Sequence, residues 1–410
     1  MMFKGLLDFK NQNITINWKI VSPVFFYFLI SMLILNSTND ANLFIESTFY
    51  RQAAWFGIGI FVFLFIQFVR IQYLYDSSYF LFIILFLLIF STIFSPVVNG
   101  AQSWILFGPF SFQPSEVGKI IYVIFLARFF TDFNEKENFS LVFVTMLVVL
   151  VVPPLLIFKQ PDLGTAMIYL SVIIPMLYCS GYSAMIIFLL FSPFVSLIAV
   201  SNLYLFYFWM IFCIAVLLFY RQSLYRGLLN FILNLICGLA SNYIYYNILK
   251  DHHRERIEII FDPYNDPLDK GYQIIQSLIS IGSGGMLGKG LSNGTQTQLS
   301  FLPVSNSDFI ISVVSEEMGF ITIFFILFSL SWFVFWSIDY AFKIENKFAS
   351  VLLVGCCTII FMHFIINMGM VSGLLPVTGL PVPFISYGGS FLLTCSILIG
   401  LINNLVNNNI

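Results

Sequence analysis

Charge is scarce in this sequence. Lys, Arg, Asp and Glu make up 9% of its 410 residues, where a soluble domain carries about 25%. A chain with so few ionised side chains cannot cover itself with a water-compatible surface, which excludes a soluble globular protein. Histidine is scarcer still. Of the three residues, His252 and His253 are sequence neighbours whose side chains point apart, which disfavours a metal centre built on them. The cysteines, Cys179, Cys213, Cys237, Cys356, Cys357 and Cys395, all fall inside apolar runs without metal-ligand spacing. Packing is their expected role rather than a disulfide framework. No basic tract accompanies the net charge of −2, so nothing points to nucleic acid. The short alternating segments of an outer-membrane barrel are absent. So is a small-residue cleavage site after Lys4, Lys10 and Lys19, so the first apolar run reads as a retained span.

Apolar mass is abundant: 59% of residues are hydrophobic and 50 are Phe. Apolar runs recur at 20–36, 53–69, 77–96, 117–130, 140–158, 165–180, 184–201, 204–219, 227–248, 309–337, 348–370 and 387–402. Most can cross a hydrocarbon core of about 30 Å, giving an all-α polytopic transmembrane bundle of about 12 spans. With the N-terminus inside, Lys4, Lys10, Lys19, Arg70, Arg128, Lys136, Arg221, Arg226, Lys343 and Lys347 collect on the cytoplasmic side. Only Arg51, Lys119 and Lys159 fall in short outer loops, as the positive-inside rule requires. Both termini are then cytoplasmic, the chain is one membrane domain over 1–410, and a long extracytoplasmic loop runs over 249–308.

Four segments dense in Gly, Pro, Gln, Ser and charge, 97–119, 159–165, 249–308 and 371–390, all open on the outer face. In the first, Pro114-Ser115-Glu116 starts a helix with an acid in its first turn, and Glu116 and Lys119 share a face and can pair. This is either a capped helix end or a charged pair at the edge of a cavity. In Lys159-Gln160-Pro161-Asp162, Asp162 suits a turn or cap. In the long loop, the guanidinium forks of Arg254 and Arg256 match phosphate oxygens, but they can equally pair with Glu255, Glu258 or lipid headgroups. Asp262, Asp266 and Asp269 read as successive turns. "GSGGMLGKG" is no phosphate loop: Ser283 stands where the pattern needs Gly, and Gly290 where it needs Ser or Thr. It reads as a turn that lets backbone pass close to membrane or ligand. The last segment, rich in Pro and Gly, is broken backbone at membrane depth, which must be buried or line a cavity. Asp308 precedes an apolar helix, where Asp is a preferred N-cap and a candidate for chemistry alike. His363 and Asn367 lie one helical turn apart, with packing as the expected role of the histidine.

The stretches "GAQSW…FSFQPSEVGK", "KQPDLGTA", "DPLDKGYQIIQSLISIGSGGMLGKG", "GTQTQLSFLPVSNSDFIISVVSEEMG" and "LLPVTGLPVPFISYGGS" together resemble the SEDS family (shape, elongation, division and sporulation). They occur in the family's order along nearly the whole chain, and the Gly294–Pro303 run is closer to the elongation branch than to the division branch. The resemblance implies a peptidoglycan glycosyltransferase that polymerises lipid II at the outer face of the bacterial cytoplasmic membrane. It implies a class B penicillin-binding protein and other cell-elongation proteins as partners. It places the catalytic base at Asp308 and carries Glu116, Lys119 and Asp162 over as substrate-site residues. A divalent cation, Mg or Mn, could assist Lys119, Arg254 and Arg256 at the departing pyrophosphate. This chain departs from the family at Ser103, where Arg is usual, and at Val304, where Glu is usual. Against a family core of about ten spans, about two extra fall between Gly181 and Lys250, and such a hairpin leaves Asp308 outside. The rival readings are a transporter of lipid-linked precursors and a scaffold for cell-wall proteins.

Overall fold

Long apolar runs in lipid become helices because only a helix satisfies every backbone group within its own segment. The computed structural model describes residues 15–38, 47–95, 103–107, 110–132, 139–200, 202–221, 223–243, 247, 254 and 271–409. The helices are α1 (Trp18–Ser37), α2 (Thr48–Ile66), α3 (Ile71–Ser91), α4 (Pro114–Asp132), α5 (Phe139–Lys159), α6 (Leu163–Ser171) and α7 (Ile173–Cys179). They continue as α8 (Ala184–Ala199), α9 (Leu203–Phe219), α10 (Leu224–Tyr243), α11 (Tyr272–Gly284), α12 (Thr295–Gln298), α13 (Ile310–Lys343), α14 (Lys347–Val371) and α15 (Gly389–Asn409). Side chains of Asn17, Asp162, Asn202 and Asn346 cap α1, α6, α9 and α14 by accepting early backbone N–H groups.

Among the described residues, seven helices are long and apolar enough to cross a membrane, and the protein is a multi-pass membrane protein. The fold class is as the composition implies, with one addition: β1 (Ile105–Phe107) and β2 (Phe110–Phe112) form a small antiparallel hairpin just before α4. Two expected spans are also interrupted. The 165–180 run splits into α6 and α7 at Val172. Pro175 has no N–H to return to the carbonyl four residues earlier, so the ladder lapses there. The 309–337 run forms part of α13 but breaks at Gly319, whose φ is 77°.

The expected loop 249–308 is not loop throughout, since α11 and α12 lie within it. The segment after α11 seals the break in α13. Lys289 N donates to Glu316 O at 2.9 Å and Gly290 N to Glu317 O at 3.0 Å. Beyond the break, Phe320 N donates to Gly285 O at 3.0 Å and Ile321 N to Met286 O at 3.2 Å. The carbonyls and amides that a broken helix would orphan are thus paired. Two backbones meet with no room between them: a Cβ on Gly288 would lie 2.2 Å from Glu317 O. The glycine-rich motif therefore serves an approach to α13, rather than to membrane or ligand.

The chain divides into two units, residues 1–180 with 263–410, and residues 181–262. The second holds the region where extra spans were expected. Its α8, α9 and α10 are joined by a polar seam in which Asn230 and Asn234 donate to Ser192 Oγ at 2.8 and 3.0 Å. Trp209 Nε1 donates to Ser196 Oγ at 3.1 Å in the same seam. In the first unit α4 and α14 form the centre. α14 is mostly buried and α2 mostly exposed, so α14 lies inside the unit and α2, packed on α15, at its periphery. At one end of this unit Arg128 donates to Tyr75 O, Asn404 to Val69 O, and Lys343 pairs with Asp339. Those parts of the polar segments expected outside that belong to this unit and are described gather at the other end, where Thr38 meets Asn306 and Gln113 meets Asp162.

Gly288→Ala is expected to destabilise the protein by about 2 kcal/mol or more, because it needs both a positive φ and space that α13 occupies. Gly282→Ala, with nothing within 4 Å of its added Cβ, is the control and should melt like the parent or slightly higher. Thermal unfolding in detergent measures both.

Candidate active site

The first expected pair is present. Glu116 and Lys119, three residues apart on α4, form an ion pair of 2.8 Å in which both residues are buried, at 4% and 1% exposure. Ions so removed from water cost several kcal/mol each unless further partners compensate. Lys119 has one: its Nζ lies 2.9 Å from His363 Nε2 on α14. His363 Nδ1 lies 3.2 Å from the carbonyl of Pro381. A carbonyl only accepts, so Nδ1 carries the proton and Nε2 takes its hydrogen bond from the lysine; the tautomer is assigned from these partners. Glu116 Oε2 is buried and accepts no hydrogen bond among the described residues.

Asp162 caps α6 through Thr165 N at 3.0 Å and accepts from Gln113 Nε2 at 2.7 Å. Burial raises its carboxyl above the usual carboxylate range, and these hydrogen bonds with the nearby Lys119 charge oppose the rise. It is a cap that also sits in the field of Lys119.

Asp308 does not cap the helix that follows. The residue at that position is Phe309, and no side chain caps α13. The Asp308 carboxylate accepts one hydrogen bond, from Ser307 Oγ at 3.1 Å, and is half-buried. Burial raises its carboxyl, the serine opposing the rise. Its backbone, by contrast, is firmly held. Tyr387 N donates to Asn306 O at 2.9 Å, Ser386 Oγ to Ser307 O at 2.6 Å, and Asn367 Nδ2 to Asp308 O at 2.7 Å. Three successive carbonyls are thus stapled by α14 and the Pro/Gly-rich segment that follows it, which is the physical use of "LPVPFISYGG".

Glu316 is the opposite case. It is fully buried, and each oxygen accepts three hydrogen bonds. Oε1 takes Lys289 Nζ at 2.7 Å, Thr295 Oγ1 at 3.1 Å and Gln296 N at 3.0 Å. Oε2 takes Ser280 Oγ at 3.2 Å with Thr297 N and Oγ1 at 3.3 and 3.0 Å. A carboxylate with every lone pair engaged is a structural hub with nothing left for a substrate proton. Glu317 accepts from Ser37 Oγ at 2.5 Å and Gln298 Nε2 at 3.3 Å.

Of the sequence-predicted residues, Glu116, Lys119, Asp162 and Asp308 all lie at the loop end of the first unit. Arg254 belongs to the second unit, and Arg256, with His252, His253, Asp262, Asp266 and Asp269, lies outside the described residues. Ser103 is buried, and Val304 takes a φ of 55°, unfavourable for a β-branched residue. Sequence reasoning missed His363 and Asn367 as partners of the site. The one-turn spacing was visible, but their targets on α4 and the 303–309 turn were not. A cavity of about 190 Å³, lined by Ile71, Gln72, Tyr75, Asn346 and Phe348, lies at the other end and contains none of these residues.

A family model described as a cell cycle protein family, FtsW/RodA/SpoVE, matches residues 12–216 and 205–409. The chain is 32% identical over 306 residues to peptidoglycan glycosyltransferase MrdB of Escherichia coli K12, covering 75% of this chain and 71% of that protein. It is 30% identical over 425 residues to peptidoglycan glycosyltransferase RodA of Treponema pallidum, covering 93% and 97%. Among solved structures it superimposes with a TM-score of 0.71 at 24% identity on one described as structural coordination of polymerization and crosslinking by a peptidoglycan synthase complex, covering 97% and 99%. The rod shape determining protein RodA of Thermus thermophilus gives 0.63 at 19%, covering 97% and 98%. These structures share the fold.

The raised carboxyl of Asp308 has a stability consequence. A folded pKa above the unfolded one means the native state binds more protons, so stability falls as pH rises through that interval. Asp308→Asn should therefore melt higher than the parent at about pH 7, and the difference should shrink toward about pH 4. An asparagine variant that melts lower at neutral pH would contradict the burial argument.

Proposed function

Because the chain belongs to the FtsW/RodA/SpoVE family of cell cycle proteins, we propose that it is a peptidoglycan glycosyltransferase. It polymerises lipid II into glycan strands at the outer face of the cytoplasmic membrane, with both termini cytoplasmic, for cell elongation and shape. The names of its relatives support this activity. In the same reading a class B penicillin-binding protein crosslinks the product, and other cell-elongation proteins and membrane lipids surround the pair.

The observation that carries the assignment of the base is the contrast among carboxylates. Glu316 is saturated with donors, Glu116 is tied to Lys119, and Asp162 is a helix cap. Glu317 is held by Ser37 and Gln298, and among the described carboxylates at this end Asp308 is the one that accepts a single weak donor, on a turn whose backbone is fixed. Burial raises its carboxyl and so makes it a stronger base than a solvated aspartate. Asp308 takes the proton of the 4-hydroxyl of the acceptor's N-acetylglucosamine. That oxygen attacks the anomeric carbon of the donor sugar, the bond from that carbon to the pyrophosphate oxygen breaks, and undecaprenyl pyrophosphate leaves with inversion. Lys119 supplies positive charge to the departing pyrophosphate, and Glu116 holds the lysine. A divalent cation, Mg or Mn, belongs to this reading as a companion of the pyrophosphate. Among the described residues no group of three or more His, Cys, Asp and Glu is placed to hold a metal.

A transporter needs charges at several depths and access from both faces. Buried Glu116, Lys119 and Glu316 instead cluster with the loop segments, which supports the enzyme. Purified protein with its class B partner is expected to polymerise lipid II, and Asp308→Asn to lose about 100-fold or more in rate. Full activity in that variant would remove Asp308 from the base role. Lipid II translocation across vesicles without polymer would support the transporter instead.

A further inference from the structure

Lys119 lies on α4 and Asp308 on the turn before α13, and they carry separate roles, yet both are held from one face of α14. His363 accepts from Lys119 Nζ, and Asn367, one turn on, donates to the Asp308 carbonyl. The two residues share a second anchor. His363 Nδ1 donates to Pro381 O at 3.2 Å, and Asn367 Nδ2 donates to Leu380 O at 2.7 Å. Adjacent carbonyls of a single loop thus fix both side chains, and each side chain then fixes one member of the proposed chemistry. All of this is deeply buried, with His363 at 1% and Asn367 at 0% exposure. Asn367 Oδ1 and Glu116 Oε2 are buried acceptors without a partner among the described residues. A buried polar group left so is costly, and in a purely structural clamp both would be expected to be paired.

We propose that His363 and Asn367 are positioning residues: with the Leu380 and Pro381 carbonyls they set the placement of Lys119 against Asp308. The inference rests on the glycosyltransferase reading and deepens it. His363 acts through a neutral ring with its lone pair toward the ammonium. That geometry turns one N–H of Lys119 to the histidine and one to Glu116, leaving the third for a pyrophosphate oxygen. Asn367 acts through the backbone of Asp308 and so governs proton transfer rather than pyrophosphate binding.

Two variants of His363 separate this role from packing. Glutamine offers one acceptor and one donor about as far apart as the ring nitrogens, so His363→Gln should keep kcat within about threefold, whereas His363→Leu, which cannot accept from the lysine, should lose about 10- to 100-fold. Binding of undecaprenyl pyrophosphate to the protein in nanodiscs, read without turnover, should weaken about tenfold in His363→Leu and stay within about threefold in His363→Gln. Asn367→Leu should lower kcat about tenfold or more while the same binding constant moves less than about twofold. His363→Leu matching wild type in rate and binding would overturn the proposal and leave the function standing. So would equal losses in the glutamine and leucine variants, accompanied by lower melting temperatures, which would mark a packing role. A wild-type protein that neither polymerises lipid II nor binds the pyrophosphate would sink the function itself.

Discussion

A helix that breaks within a membrane protein exposes backbone groups that lipid cannot satisfy, and the rest of the candidate site depends on how the break at Gly319 is met. Four backbone hydrogen bonds from the 285–290 segment close it. Six donors converge on Glu316 just before it. The two sets are one construction. The backbone bonds draw the glycine-rich segment onto α13, and the Glu316 carboxylate then gathers Lys289 and the 295–297 turn around itself. Removing the carboxylate would strand a partly buried ammonium and several polar groups. The first part of α13 is therefore fixed in direction, and with it the turn that presents Asp308.

Environment, more than residue type, separates the acids. Among the described residues five carboxylates lie near the loop end, Glu317 held by Ser37 and Gln298 among them, and each has a different set of partners. Saturation removes Glu316 from chemistry, while an ion pair and a cap occupy Glu116 and Asp162. Asp308 keeps a rigid main chain and an under-coordinated side chain. That combination is what a general base requires: a fixed position with lone pairs still available. Its neighbour Gly379, with φ of 68°, would place a Cβ 3.5 Å from Asp308 Oδ2. The Pro/Gly-rich segment thus approaches the carboxylate closely without supplying it a donor.

Much of this was legible from residue order. Scarcity of charge and the recurrence of apolar runs suffice for a helical membrane bundle, and the uneven placement of Gly, Pro and Gln suffices to gather 97–119, 159–165 and 371–390 at one end. Glu116 and Lys119 could be paired from their spacing alone, because i and i+3 share a helix face. Three features were not legible, each for a physical reason. Gly319 looks like any glycine in an apolar helix, since the backbone that pairs with its break lies about 30 residues upstream. The N-cap reading of Asp308 failed because its turn is stapled through main-chain carbonyls, which leaves the carboxylate free of capping. His363 read as packing because its partner, Lys119, is 244 positions away, a separation no local pattern encodes.

The departures at Ser103 and Val304 place a buried small side chain and an exposed apolar one where the family resemblance leads one to expect Arg and Glu. Val304 lies in the 303–309 turn, four residues before Asp308, and its side chain is exposed. The carbonyls that tie the turn to other segments are those of Asn306, Ser307 and Asp308, while the Val304 carbonyl closes the turn itself by accepting from Ser307 N at 3.2 Å. Val304 thus serves the turn through its backbone, and its exposed side chain takes no part in the bonds that fix Asp308. Ser103 is buried ahead of the hairpin that leads into α4. In the proposed reaction, with no arginine there, positive charge for the departing pyrophosphate would fall more heavily on Lys119. On that proposal, its orientation by Glu116 and His363 would matter more in this chain than beside a second fixed cation.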